Sequence, residues 1–322
     1  MFTDTYYRRR FMQMGFGSLG GLALNHLGAA EGKPSHHQAK ARSVILCYMS
    51  GGVSHVDSFD PKPLLKEMHG KDMPGEVLRT QFDNNGRIMQ SPWEAKKYGQ
   101  SGLEMTNLFP NIAGCADDIA LVRGMTAKFS EHAQGNFYMH TGFPFLGSPS
   151  AGAWVNYGLG SVNQNLPGYV VLNNKTGIPH GGKSIFGNGF LPATTGASIF
   201  NLDQEEVVSR VRPSRPLKEQ RASLEFLEQM DGAFAKRSAA EGDVQSAIKN
   251  YETAFRMQSA VPELMDLDKE PAYLKRAYGF EHEDPLVAGY GQQCMVARRL
   301  VEQGVRFVEL SCSNFKGDGQ RA

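Results

Sequence analysis

A chain of 322 residues, 41% of them hydrophobic, is long enough to bury a large core as one elaborate domain or two modest ones. Lys plus Arg number 34 against 33 Asp plus Glu, and this balance argues against a nucleic-acid binder or a protein held on an anionic membrane, both of which need a basic excess. The four cysteines, Cys47, Cys115, Cys294 and Cys312, lack the paired short spacing of zinc or redox motifs. Cys47 and Cys115 lie in apolar contexts that predict buried free thiols.

At the amino terminus Arg8-Arg9-Arg10-Phe11-Met12 precedes a glycine-rich apolar stretch from Met14 to Leu27, and Gly28-Ala29-Ala30 then offers a cleavage site. This is a twin-arginine export signal in outline, with Tyr7 standing where Ser or Thr is usual. It predicts a bacterial protein handed to the twin-arginine machinery and exported to the periplasm or cell surface. Residues 31–42 read as a polar linker, so His36-His37 belongs to a solvated tail. Gly15-Phe16-Gly17-Ser18-Leu19-Gly20 fits the dinucleotide pattern but falls inside the signal, where no strand precedes it.

Ser43 to Met49 is a short apolar run and predicts a buried strand. The turn that follows, Gly51-Gly52-Val53-Ser54-His55-Val56-Asp57-Ser58-Phe59-Asp60-Pro61-Lys62-Pro63, places an imidazole and two carboxylates at the strand's carboxyl end, where open α/β sheets collect ligands. From there to about Leu103 the sequence is polar and weakly periodic, an irregular surface excursion. Phe109-Pro110-Asn111-Ile112 opens a helix with Pro in its first turn, and Ile119 to Arg123 reads as a second strand. Strand, helix, strand in that order predicts an α/β fold with a largely parallel sheet.

A further helix is expected between Ser130 and His140, with Ser130 as its cap; Tyr138 and Trp154 read as packed aromatics. The Gly, Pro, Ser and Asn content from Gly142 to Gly196 predicts long ordered loops broken by a strand near Val170. Within them Gly177-Ile178-Pro179-His180-Gly181-Gly182-Lys183-Ser184 fits the P-loop pattern. A P-loop needs a helix starting at its Lys-Ser, and Ile185-Phe186-Gly187-Asn188-Gly189-Phe190-Leu191-Pro192 cannot supply one, so nucleotide binding at 177–184 is the weaker alternative. Pro216 to Met257 is charged and helical, an insertion at about 215–260 folded as a hairpin broken near Gly242. Gly291 to Gln303 predicts one more helix and Val305 to Ser311 one more strand.

His55, Asp57, Asp60, His132 and His140 are the side chains expected to gather at one face. Carboxylates and neutral imidazoles together suit a divalent metal ion such as zinc, manganese or, with fewer histidines, calcium. A blander arrangement is also open, in which Asp60 caps the turn before Pro61, His140 is packed in the core, and only His55 and Asp57 face a cavity.

Three stretches, Arg42 to Pro63, Ser130-Glu131-His132-Ala133-Gln134-Gly135-Asn136 through His140-Thr141-Gly142, and Ser148-Pro149-Ser150-Ala151-Gly152-Ala153-Trp154-Val155, resemble the exported DUF1501 family. These are bacterial proteins of uncharacterised function related to sulfatases within the alkaline-phosphatase-like superfamily. The resemblance runs to about Glu309. It implies an alkaline-phosphatase-like, largely parallel sheet flanked by helices, of which residues 43–322 form the amino-terminal portion, and metal-dependent hydrolysis of sulfate or phosphate esters on a small molecule or polysaccharide.

Against the sulfatase pattern, Phe109-Pro110-Asn111-Ile112 and His140-Thr141-Gly142 resemble the two ends of the nucleophile region. The nucleophile position then falls on His132 and the arginine position on Asn136, so the sulfatase nucleophile is not carried over. The paired aspartates usual at the end of a sulfatase's first strand fall near Ser50-Gly51, where the His55/Asp57 turn would replace them. Ser130 and Thr126 are the nearest hydroxyls, and Ser130 beside a metal, with His132 accepting its proton, is the implied catalytic pair. Relatives continue past the last strand, whereas this chain closes on the polar Asn314 to Ala322. It therefore reads as truncated, or as completed by a partner chain, and a non-catalytic exported surface or carbohydrate-binding protein is the alternative function.

Overall fold

The computed structural model describes residues 40–75, 85–174, 178–209, 211–213, 215–235 and 241–311, and a compact unit begins at Ser43. The signal segment with its glycine pattern, nearly all of the linker, Gly177 and the closing tail lie outside the described residues.

β-Branched and apolar residues make β1, Val44–Tyr48. Pro63 starts the short helix α1, Pro63–Glu67, at a position where a missing amide costs nothing. The stretch expected to be irregular contains an antiparallel hairpin, β2 (Ala95–Tyr98) and β3 (Leu103–Thr106), with Ala95 opposite Thr106. Its Lys96-Lys97 pair hid it from a reading based on apolar alternation. Helix α2, Pro110–Ala113, is a single turn. Ile119 to Arg123, expected to be a strand, pairs with no strand among the described residues, and Val122 is 72% exposed. The apolar run was too short to bury a face, and Arg123 instead reaches Asp60 and the Glu104 carbonyl.

Helix α3 is His132–Thr141, capped by Glu131 rather than Ser130: the Glu131 carboxylate accepts from the amides of Ala133 (2.7 Å) and Gln134 (3.2 Å). Gly142 ends it in the left-handed conformation. Helix α4, Ala151–Leu159, lies within the region read as loops, with the Ser150 hydroxyl as its cap. Its glycines disguise it. Gly152 is required by packing, since a β-carbon there would stand 2.6 Å from the Tyr169 ring. Trp154, expected to be packed, is 47% exposed.

Strand β4 is Tyr169–Asn173 and β5 is Ser198–Asn201, the latter too short to show in the sequence. Two long helices follow, α5 (Leu217–Ala235) and α6 (Glu241–Met265), tied by Arg221 bonding Glu252 at 2.9 Å. The two helices part shortly before Gly242, near which the break was predicted. Helix α7 is Ala272–Ala277; α8, Pro285–Glu302, is capped by Asp284; and β6 is Phe307–Ser311. No described helix is long and apolar enough to cross a membrane.

The four-stranded sheet has the order β1-β6-β4-β5 with every neighbouring pair parallel, so the last strand in sequence inserts between the first and the fourth. Alternation along the strands separates two cores. Val170, Leu172, Val308 and Leu310 pack with Val296 and Leu300 of α8 and with Met257, Val261 and Leu264 of α6. On the other face Tyr169, Val171 and Phe307 pack with Phe137 of α3 and with Ile185 and Phe186. The carboxyl half of α6 therefore joins the core on the face opposite α3.

Candidate functional site

Because all strands of the sheet run the same way, the segments leaving them share one edge. The turn after β1 and the loop after β4 leave at that edge, and α3, which comes from outside the sheet, bonds Tyr48 at the end of β1 and the His180 carbonyl in the loop after β4. The turn is propped from below by the hairpin. Thr106 donates its hydroxyl to the Asp57 carbonyl at 2.6 Å and its amide to the Ser58 carbonyl at 2.8 Å. Phe59 stacks on Phe109 with ring centroids 5.6 Å apart.

Within this turn His55 is exposed, and its carbonyl accepts from the amides of Ser58 and Asp60. Asp57 accepts from the Ser54 hydroxyl at 2.7 Å. Asp60 is bound by Lys62 at 2.7 Å and by Arg123 at 3.4 Å. The Lys62 hydrogen bond, helped by the charges of Lys62, Arg123 and His55 and opposed by partial burial, holds the Asp60 carboxyl below the usual aspartate range. Asp60 is thus already paired with two cations. Among the described residues no group of three His, Cys, Asp or Glu side chains stands close enough to hold an ion.

His140 does not stand with the other candidates; it lies in the core, 3% exposed. Its Nδ1 is 2.7 Å from the Asn136 carbonyl, which can only accept, so Nδ1 carries a proton. Its Nε2 is 2.6 Å from Oε1 of Glu309, itself buried, and the other oxygen of Glu309 accepts from the Tyr169 hydroxyl at 3.0 Å. Burial alone would depress the imidazolium of His140, but the hydrogen bond and charge of Glu309, with the Asn136 carbonyl, outweigh it and raise the pKa above the usual histidine value. Burial, and then the Glu309 charge, pushes the Tyr169 hydroxyl well above the usual tyrosine value, so it remains a donor. With both ring nitrogens engaged, His140 has no lone pair to offer an ion, and its task is to seat α3 on β6.

Asn136 carries this order to the edge. Its side-chain oxygen accepts from the Tyr48 hydroxyl at the end of β1, and its amide donates to the His180 carbonyl at 2.7 Å. One turn earlier on α3, His132 is exposed and its ring meets that of His180 edge-to-face, centroids 5.7 Å apart. Ser130 and Thr126 are exposed on the extended segment before α3. The structure thus brings His132 together with His180, a residue the sequence had offered only as part of a P-loop pattern. At that pattern's Lys183-Ser184 the chain makes a 3-10 turn, Gly182–Phe186, that ends at Gly187, without the α-helix a phosphate cradle needs. Glu309 was missed as well; a lone carboxylate in phase with Phe307 on an otherwise apolar strand was the available signal.

A cleft of about 410 Å³ lies elsewhere. It is lined by Asn163, Asn165, Glu263, Glu270, Arg299 and Gln303, where the chain enters β4 and β6, and is therefore at the amino edge of the sheet. Arg299 there is already committed to Glu270 at 2.9 Å and to the Asp266 and Glu263 carbonyls. The carboxyl edge remains the better candidate on chemistry.

A family model described as "Protein of unknown function (DUF1501)" matches residues 41–316. No curated protein and no solved structure matches the chain.

Proposed function

The chain belongs to the DUF1501 family, and from that premise we propose that it is an exported, metal-dependent hydrolase of phosphate or sulfate esters built on an alkaline-phosphatase-like sheet. The observation that carries the proposal is the meeting of the amino end of α3 with the His180 loop beside Tyr48 at the carboxyl end of β1, on an all-parallel sheet whose first strand leads directly into the His55/Asp57 turn. Imidazoles and carboxylates at such an edge are suited to holding a divalent ion. A bound ion of this kind polarises an ester oxygen and lowers the pKa of a coordinated hydroxyl or water. In this reading His55 and Asp57 border the ion and Ser130 is the hydroxyl nearest the reacting group. The substrate is a phosphorylated or sulfated small molecule or polysaccharide.

The experiment is elemental analysis of the purified protein, combined with turnover of 4-nitrophenyl phosphate and 4-nitrophenyl sulfate before and after chelation. One ion per chain and hydrolysis that chelator abolishes support the proposal. Turnover that survives complete metal removal overturns it.

A second reading, a non-catalytic carbohydrate-binding surface protein, is favoured by one observation. Trp154, Tyr157 and Phe190 form an exposed aromatic cluster, with Trp154 5.8 Å from Phe190 and 6.2 Å from Tyr157. Polysaccharide binding lost in Trp154→Ala, in a protein with no bound ion, would select it.

A further inference from the structure

We infer that His132 and His180 together hold one divalent transition-metal ion, with the remaining coordination positions open to water or a substrate oxygen. The inference deepens the hydrolase reading by naming the residues that hold its ion, and it moves His132 from proton acceptor to ligand.

Geometry is the first support. An imidazole binds zinc at about 2.0–2.1 Å from nitrogen, which places the ion about 3.2 Å from the ring centroid. Two rings whose centroids are 5.7 Å apart can both reach one shared ion, at an angle of roughly 125°, once the exposed side chains rotate out of their edge-to-face contact to point one nitrogen each at it. Availability is the second. No hydrogen bond among the described residues engages either ring, in contrast to His140, whose two nitrogens are both occupied. Asp57 and Asp60 already bond Ser54, Lys62 and Arg123, and Glu131, next to His132, is engaged in capping α3.

Preorganisation is the third. Neither histidine sits on a free loop. His132 opens a helix whose cap is satisfied by Glu131 and whose far end is locked by His140 and Glu309. The His180 backbone is held to that helix by the Asn136 amide. The next residue, Gly181, has φ +102°, and a β-carbon there would stand 2.8 Å from Ile185 and 3.2 Å from Phe137. The loop is thus fitted against α3 at a distance only glycine permits, and it presents His180 toward His132. Two neutral nitrogen donors with open positions favour zinc or another borderline first-row ion over calcium or magnesium, which need oxygen ligands.

The test is calorimetric titration of the metal-stripped, untagged full chain with Zn²⁺, in a background carrying His36→Ala and His37→Ala to remove the other adjacent histidine pair. The parent should bind one ion per chain. His132→Ala and His180→Ala should each weaken binding at least about tenfold, since even the outer partners of metal ligands cost that much. Circular dichroism of both variants should match the parent, because both side chains are exposed. Failure of the parent to bind a stoichiometric ion would overturn the inference. So would affinity that falls in His55→Ala but persists in the double variant His132→Ala/His180→Ala.

Ester turnover separates the two claims. Binding that depends on both histidines in a protein that hydrolyses neither ester upholds the site and removes the hydrolase. Metal-dependent turnover undiminished in both variants upholds the hydrolase and removes the site.

Discussion

Replacing Glu309 with alanine tests whether the buried His140–Glu309–Tyr169 group seats α3 on the sheet. Glu309 is 1% exposed and accepts from His140 at 2.6 Å and from Tyr169 at 3.0 Å. Breaking a buried pair by removing one partner costs about 3–5 kcal/mol, because the survivor is left uncompensated. The Tyr169 hydroxyl loses its acceptor as well, a further penalty of about 1–3 kcal/mol that overlaps with the first. A net loss of about 4 kcal/mol is therefore expected, which at a urea m value near 3 kcal/mol/M lowers the unfolding midpoint by roughly 1.3 M. Glu309→Gln should cost no more than about 2 kcal/mol, since its amide can donate to His140 and its oxygen can still accept from Tyr169.

The same pair predicts a pH dependence. The pKa of His140 is raised in the folded protein, so its contribution is complete below the usual histidine value of about 6.5 and is lost as pH rises through the raised value. Tyr169, also raised, gives a loss of the same sign at more alkaline pH. Urea midpoints measured across neutral to alkaline pH should fall in the parent, and the neutral-range part of that fall should vanish in Glu309→Gln. An alanine variant within 1 kcal/mol of the parent, or a glutamine variant as costly as alanine, would refute the reasoning.

Two further predictions concern packing and thiol chemistry. Gly152→Ala adds a methyl that would meet the Tyr169 ring at 2.6 Å, and it should lower the melting temperature by an amount equivalent to about 1–3 kcal/mol, despite the roughly 1 kcal/mol gained in helix propensity. A rise in melting temperature would show that α4 does not approach β4 this closely. Burial pushes the Cys294 thiol up to about 11, with the neighbouring Cys47 adding to the shift, so Cys294 should be the slowest of Cys47, Cys115 and Cys294 to alkylate at pH 8. Mass mapping of iodoacetamide adducts reads this directly, and early labelling of Cys294 would contradict it.

Much of the candidate site was legible from local chemistry. The Gly51-Gly52 turn after an apolar run announced a strand end carrying His55 and Asp57, and a helix beginning beside His132 was visible in its small residues and carboxylate, although Glu131 rather than Ser130 is the cap. The partner of His132 was not legible. His180 is far along the chain, and only the Asn136 bond to its carbonyl and the left-handed Gly181 bring it back to α3. Cys47 and Cys115 lie in apolar sequence yet are exposed, since a neighbour's hydrophobicity does not say which face a residue takes.

Taken alone, the sequence determined the quantities that depend on near neighbours: strands at β1, β4 and β6, the helices α5, α6 and α8, and an α/β class with a parallel sheet. These follow from periodicity, capping and glycine or proline punctuation, which act over a few residues. Tertiary structure decided what depends on distant pairing. It put β6 between β1 and β4, left Ile119 to Arg123 outside the sheet, and placed Glu309 under His140. It also sent His140 into the core while leaving His132, two turns earlier on the same stripe of the helix, exposed. Two histidines on one stripe of a single helix acquire opposite roles because the residues that cover each turn of it, Glu309 for His140 and the His180 loop for His132, come from far along the chain.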